Sequence, residues 1–229
     1  MIRRALLVVA KRPAAGQTKT RLTPPYSGEQ AAALYECFLR DTLDLIRAAA
    51  VDGPFEPIIS YAPAGSEDYF RELAPDFQLL PQQGADLSER LNHAVTHCLT
   101  EGGYQQVVIM DSDSPTLPAG CLHSAFSELD RAAVTLGACD DGGYYLIGLQ
   151  APCPTLFLTV TMSTDHVVAD TLAAAVGEGL SVVMLRPWYD IDYAADVRRL
   201  LAELATLPAA VAHHSRTLLA TADMMQVLG

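Results

Sequence analysis

Apolar positions along the chain come in short runs, and their period changes repeatedly from two to that of a helix. Residues 4–10 are almost continuously apolar, the pattern of a strand covered on both faces. Residues 11–27 are rich in Pro, Gly and Thr and read as a loop. Over 28–50 the spacing turns helical, with Leu34, Phe38, Thr42, Leu45 and Ile46 on one side. Strands are then expected at 55–61 and 77–80, with a short helix at 67–73 between them. A helix follows over 86–101, with Asp86 as its N-cap, and a strand at 104–110. The remainder reads as a helix at 118–129, strands at 132–137 and 144–149 around the turn-forming Asp140-Asp141-Gly142-Gly143, and a helix at 164–176. A strand at 181–185, a helix at 192–204 opening on the acidic cap Asp192, and a closing C-terminal helix at 208–229 complete the pattern.

Strands alternating with helices predict an α/β fold with a mainly parallel central sheet covered by helices. No internal repeat or linker interrupts the 229 residues, so residues 1–229 are read as a single domain. Ligands of such sheets sit beyond the carboxyl ends of the strands. The loop at 11–27 and the segment starting at Asp111 both leave such ends, and they are expected to face one cleft.

Composition narrows the function. No run approaches the ~18 apolar residues of a membrane span. The apolar start is brief and leads into Lys11 and Arg12, which fits a buried strand better than a signal segment. Cys37, Cys98, Cys121, Cys139 and Cys153 are odd in number and scattered, so reduced thiols, no structural zinc and a cytoplasmic location are expected. The net charge of −12 argues against nucleic acid as a partner. Six of the fifteen basic residues are Arg3, Arg4, Lys11, Arg12, Lys19 and Arg21, and Lys11 and Lys19 are the only lysines. A local basic loop on an acidic protein suits a small anionic ligand.

Five segments carry candidate chemistry. In the first, Lys11, Gly16, Lys19, Thr20 and Arg21 follow a strand and precede a helix; Gly16 allows close backbone approach, and Lys19 and Arg21 can neutralise phosphate oxygens. The nucleotide-binding G-x-x-x-x-G-K-[ST] pattern is not met, because its first glycine is missing. A solvated basic loop accounts for the spacing equally well; on the phosphate reading Lys19 is expected to be an exposed loop lysine that contributes little to folding. In the second, Asp111 and Asp113 end an apolar strand, where two carboxylates can hold a hard cation against phosphate; turn chemistry is the plainer account. The third, Asp141-Gly142-Gly143, permits substrate to approach the backbone, or is simply a hairpin turn. In the fourth, Trp188-Tyr189-Asp190-Ile191-Asp192, either Asp190 or Asp192 could bring another carboxylate to the metal, although N-capping by Asp192 would also explain it. In the fifth, Arg90 stands in the first turn of a helix, where an acid is favoured, so it has either a ligand or Asp86 as partner. His93 and His97 are spaced for chelation but lack a third ligand, and no G-x-S-x-G is present.

Together these segments resemble one family. The start K-x-P-x-x-G-x-x-K-T-R-L, then D-L-x-E-R-L, D-S-D-S-P-T, D-G-G-Y-Y-L-I-G-L and W-Y-D-I-D stand in that order over about residues 4 to 200. They resemble the glycosyltransferase-like proteins once catalogued as a domain of unknown function, the rSAM/selenodomain-associated transferase 1 group linked to arsenosugar biosynthesis. Those proteins are similar to 2-phospholactate guanylyltransferases and molybdenum-cofactor nucleotidyltransferases. The resemblance implies a GT-A, nucleotide-diphospho-sugar-transferase-like fold. It places Lys11, Gly16, Lys19 and Arg21 on a nucleotide loop and Asp111 and Asp113 on a Mg²⁺ or Mn²⁺ pair, with Asp192 as a further ligand. Two positions depart from the pattern: Ser88 stands where Gly is expected, and Met162 where Trp is expected before Ser163-Thr164-Asp165.

The resulting expectation is a metal-dependent transferase using a nucleotide or nucleotide-sugar donor and a small-molecule acceptor. Glycosyl transfer is favoured, with nucleotidyl transfer releasing pyrophosphate as the alternative. Lys19, Arg21 and Asp141 are the candidate catalytic residues, Asp141 as the base toward an acceptor hydroxyl. Lys11, Gly16, Lys19, Thr20, Arg21, Asp86 and Arg90 are the candidate nucleotide contacts, and Gly142 and Gly143 the substrate contacts. A homo-oligomer is compatible with the sequence. A haloacid-dehalogenase-type phosphatase would ordinarily carry a later lysine, and none follows Lys19. A non-enzymatic nucleotide-binding protein is the remaining class.

Overall fold

Alternation within the first strand divides the protein into layers. In β1 (Arg4–Lys11), Leu6, Val8 and Ala10 enter one core cluster, while Ala5 and Leu7 enter the other. The computed structural model describes residues 2–53 and 55–228. Helix α1 (Gly28–Asp52) starts at Ser27, whose side chain accepts from the Gln30 amide while Gln30 returns a bond to the Ser27 amide. There follow β2 (Glu56–Ala62), α2 (Glu67–Leu73), β3 (Gln78–Pro81), α3 (Leu87–Thr100) and β4 (Gln106–Met110). Then come α4 (Ala119–Leu129), β5 (Val134–Ala138), β6 (Tyr144–Leu149), α5 (Thr155–Leu158), α6 (Val167–Gly177) and β7 (Val182–Met184). The chain finishes with α7 (Ala194–Leu204), α8 (His213–Leu219) and α9 (Ala222–Leu228).

The strands form one sheet in the order β3-β2-β1-β4-β6-β5-β7. Pairings β1–β2, β1–β4, β2–β3 and β5–β7 are parallel, whereas β6 runs antiparallel to both β4 and β5. The sheet is therefore mostly parallel, as the alternation predicts, with the hairpin β5–β6 supplying the reversed strand. Residues of α1, α2 and α4 (Leu43, Phe70, Leu122) pack on one face, and residues of α3, α5 and α6 (Val95, Phe157, Ala175) on the other. Chain order reverses at β1: β2 and β3 lie to one side, β4 to the other. The register Val8↔Met110 brings the carboxyl ends of β1 and β4 together at this switch point.

The closing helix expected over 208–229 is instead two short helices; Gly229, its last residue, lies outside the described residues. Ala212 adopts a left-handed conformation (φ 49°) and starts α8 afresh. Buried Asp41 of α1 then acts as a cap supplied from a distance: it accepts from the His214 and Ser215 amides at 2.8 and 2.9 Å and from Ser215 Oγ at 2.5 Å. A third cluster forms where α1, α7, α8 and α9 meet, with Leu34, Phe38, Val197, Leu200, Leu219 and Met224 buried.

Candidate active site

Two strand ends and one hydrogen-bond relay set the floor of the site. The Lys11 amide donates to Tyr35 Oη at 2.9 Å, Tyr35 Oη lies 3.1 Å from Ser112 Oγ, and Ser112 Oγ donates to the Val9 carbonyl at 3.0 Å. The end of β1 is thereby tied to α1 and to the segment after β4. Pattern reading missed Tyr35, because its ring fits the apolar face of α1 and only its hydroxyl has this task.

Asp111 is fixed by its neighbours. Its amide donates to the Tyr145 carbonyl, its Oδ1 accepts from the Asp113 amide at 3.2 Å, and Ser114 Oγ lies 3.2 Å from its Oδ2. Asp113 is tied to the segment after β7, since its carbonyl accepts from the Ile191 amide at 3.1 Å. Its carboxylate meets the basic loop: Lys19 Nζ lies 2.8 Å from Asp113 Oδ2 and 2.8 Å from Asp192 Oδ1. Arg21 Nη1 reaches Asp192 Oδ2 at 2.5 Å.

Lys19 thus departs from the expected exposed loop lysine. Its side chain is only 6% exposed and its backbone is left-handed at φ 48°. Burial works against the ammonium, but Asp113 and Asp192 outweigh it and hold Lys19 protonated above its ordinary range. Asp192 likewise departs from the capping role. Tyr193 is the N-cap of α7, and Asp196 accepts the Asp192 and Tyr193 amides at 3.1 and 2.7 Å, leaving the Asp192 carboxylate to Lys19 and Arg21. Burial disfavours ionised Asp192, yet these two cations keep its carboxyl below the ordinary value.

A second carboxylate group forms beside the first. Beyond β5 and β7 the chains remain in parallel register: Cys139 bridges Trp188, the Trp188 amide donates to the Ala138 carbonyl, and the Asp140 amide to the Trp188 carbonyl. Two residues further on, Asp141 and Asp190 come together, and their carboxylate oxygens and Cys139 Sγ lie within 4.8 Å of one another. Burial, then the charges of Asp141 and Asp192, push Asp190 up to about 6. Burial together with Asp113 and Asp190 pushes Asp111 well above its ordinary value. Burial and the surrounding acids also raise the Cys139 thiol, which keeps it neutral. In W-Y-D-I-D it is therefore Asp190, rather than Asp192, that joins the carboxylates lacking a cation.

These groups line a cleft of about 620 Å³ over the β1/β4 switch point. Lys11, Lys19, Thr20, Arg21, Asp111, Asp113, Asp141, Gly143, Asp190 and Asp192 all contribute to its wall. The expectation that the basic loop and Asp111 share one cleft agrees with this geometry. Four sequence candidates stand apart from the wall. Gly16 lies in an exposed turn at φ 70°. Asp86 caps α3 by accepting from the Glu89 amide at 2.9 Å, as read from the sequence. Arg90 donates from Nε to the Gly84 carbonyl at 3.0 Å, so the alternative pairing with Asp86 is replaced by a backbone contact. From the same helix it is Leu87 and Leu91 that reach the cleft.

Gly142 sits behind the wall at φ 90°, where a Cβ would collide with the Asp165 carbonyl, and its own carbonyl accepts from the Val168 amide at 2.9 Å. This contact clamps the 161–166 loop to the hairpin turn and delays α6 to Val167. Within that loop Ser163 is left-handed at φ 63°, and Met162 Sδ lies 3.9 Å from Tyr144 Oη. Met162, Ser163 and Thr164 close one side of the cleft.

A family model described as "Uncharacterized protein conserved in bacteria (DUF2064)" matches residues 45–164, just over half of the chain. No curated protein sequence matches. Among solved structures, a protein from Desulfovibrio desulfuricans G20, described provisionally as a nucleotide-diphospho-sugar transferase, is 28% identical with a TM-score of 0.89; the match covers 100% of this chain and 99% of that one. A cytidylyltransferase from Leptospira borgpetersenii serovar Hardjo-bovis (strain JB197) is 12% identical with a TM-score of 0.58, over 100% of this chain and 97% of that one. A 4-diphosphocytidyl-2C-methyl-D-erythritol synthase is 12% identical with a TM-score of 0.60, over 89% of this chain and 100% of that one. The last two likenesses are of fold, and the fold is the nucleotide-diphospho-sugar-transferase-like one expected from the sequence. No helix among the described residues is long and apolar enough to cross a membrane.

Proposed function

We propose that this chain, which belongs to the DUF2064 family, is a metal-dependent transferase acting on a nucleotide-activated donor, with glycosyl transfer from a nucleotide sugar to a small-molecule acceptor as its reaction. The observation that carries the reading is the convergence of Lys19 and Arg21 with Asp111, Asp113 and Asp190 in one cleft at the switch point. The full-length likeness to a protein described as a nucleotide-diphospho-sugar transferase supports it.

The residues fit a hard divalent cation. Asp113 Oδ1 is buried and has no hydrogen-bond partner among the described residues. Asp111 and Asp190 are both pushed toward protonation, by burial first and by neighbouring negative charge second, and a bound cation would offset the charge. Oxygen ligands suit Mg²⁺ or Mn²⁺, and the neutral Cys139 thiol does not. Asp111, Asp113 and Asp190 would hold the ion; of the two carboxylates that W-Y-D-I-D offers, Asp190 takes the place of the Asp192 that the family resemblance implies. When bound, it supplies positive charge against the diphosphate that leaves the donor.

Lys19 and Arg21 bind the donor's phosphate oxygens, Arg21 through its planar fork and Lys19 as a compact charge, with Lys11 at the mouth of the cleft. Asp141 is held by the Gly143 amide, which donates to its Oδ1 at 2.8 Å. This leaves Oδ2 to accept the acceptor's hydroxyl proton.

Nucleotidyl transfer is the second reading, and the cytidylyltransferase-like fold favours keeping it. The same cations would then act on the α-phosphate as pyrophosphate departs. One experiment tests both. Nucleotide sugars and nucleoside triphosphates are screened with and without Mn²⁺ by thermal shift, and ligands that bind are assayed for released nucleoside diphosphate and pyrophosphate. A ligand present at a hundred times its Kd stabilises by about 2.7 kcal/mol. Nucleoside diphosphate from a nucleotide sugar is the expected product, and pyrophosphate transfers the assignment to the second reading. A screen with no Mn²⁺-dependent stabilisation by any nucleotide overturns both.

A further inference from the structure

Lys19 is held as a divalent ion would be. Its ammonium bridges carboxylates from two separate segments, 2.8 Å from each, in a place almost closed to water. We propose that Lys19 and a divalent cation are alternative occupants of Asp113: the cation displaces the ammonium, and the released Lys19 turns to the donor phosphates. This rests on the metal reading given above.

Three observations favour an exchange over a fixed ion pair. Asp113 is half satisfied, because Lys19 takes Oδ2 while Oδ1 is buried without a partner among the described residues. Asp192 retains Arg21 after Lys19 leaves, and Asp113 would gain the cation, so neither carboxylate is left bare. Lys19 is also one of the few non-glycine residues in a left-handed conformation, a cost that a change of backbone conformation relieves. A compact ammonium on a flexible stem is suited to the move. The consequence is cooperativity: the ion alone must compete with Lys19, whereas a donor phosphate that accepts Lys19 removes the competitor.

The chain's two lysines make the exchange directly observable. Protein labelled at the lysine ε-carbon gives separate NMR signals for Lys11 and Lys19, assigned with Lys11→Arg. Saturating Mg²⁺ should convert the Lys19 signal from immobilised to mobile and leave that of exposed Lys11 in place. Calorimetry with Mn²⁺ alone should show binding about ten- to a hundredfold tighter in Lys19→Gln, the scale of one lost charge-assisted contact. Arg21→Gln removes equal charge without freeing Asp113, and should change affinity by no more than about fivefold. Equal gains in the two variants, or a Lys19 signal indifferent to bound Mg²⁺, overturn the exchange. Should Lys19→Gln fail to fold, the wild-type NMR experiment decides alone. Metal binding that is undiminished in Asp111→Asn overturns the metal site and the exchange together. Binding that needs Asp111 but leaves Lys19 immobile overturns the exchange only.

Discussion

Replacing Asp190 by Asn should stabilise the metal-free protein at neutral pH, against the usual cost of altering an active-site residue. Asp190 is half-buried beside Asp141, and its carboxyl rises from the ordinary 3.8 to about 6. Between these values the folded protein keeps a proton that the unfolded chain gives up, so unfolding releases protons. The stability contributed by this group is fully present below about pH 4 and is lost as pH rises through about 6. At 1.36 kcal/mol per pH decade, the full displacement corresponds to about 3 kcal/mol. Partial solvent access reduces this to about 1–2 kcal/mol. Asn has nearly the same shape and carries no charge, so it escapes the loss. The assay is urea unfolding of both proteins in chelator from pH 4 to pH 8. The depressed Asp192 acts in the opposite sense and the raised Asp41 in the same one; subtracting the two proteins removes the contribution of distant Asp41, while Asp111, raised in part by Asp190, is relieved by the substitution and adds to the difference. The stability difference should be near zero at the acid end and grow in favour of Asn up to about pH 6.5, then level off. Saturating Mn²⁺ should reverse it, because the wild-type carboxylate then has a cation. A difference that does not vary with pH, or one in favour of Asp190 without metal, would refute the assignment of Asp190 to an unneutralised carboxylate group.

Lys19→Ala should destabilise the fold by about 1–3 kcal/mol, because it leaves Asp113 without its cation and Asp192 with Arg21 alone. A loss below about 1 kcal/mol in urea unfolding would mean that the pair contributes no more than a surface ion pair. Gly142→Ala should detach the 161–166 loop from the hairpin, since the new Cβ meets the Asp165 carbonyl and φ is 90°. The Val168 amide, which donates to the Gly142 carbonyl, should then exchange with solvent faster, and unchanged protection would show that the loop is held elsewhere.

Period carried most of the fold. The apolar run of β1 predicts a strand covered on both faces, and its alternate residues do divide between the two core clusters. The 67–73 helix agrees with α2 residue for residue. Period could not reveal interactions that end an element from outside it. Nothing local to 208–212 delays the helix; Asp41, far away in α1, supplies the cap that begins α8 at His213. The delayed start of α6 has the same origin, since residues 161–166 are held by Gly142 across the hairpin rather than by their own helical spacing.

The division of labour within W-Y-D-I-D was equally hidden. Asp190 and Asp192 are the same residue type two positions apart, so sequence gives both the same chemistry. What separates them is the neighbour each meets. The parallel bridge Cys139↔Trp188 carries Asp190 to Asp141, with no cation between them, while Asp192 reaches Lys19 and Arg21. The loop's cations were legible as a cluster, yet their reach was not: a lysine in a Pro- and Gly-rich loop ordinarily points to water, and only the left-handed turn at Lys19 folds it inward. Lys19 therefore answers to carboxylates before it answers to phosphate. Any contribution it makes to donor binding has to be measured against the ion pair it gives up.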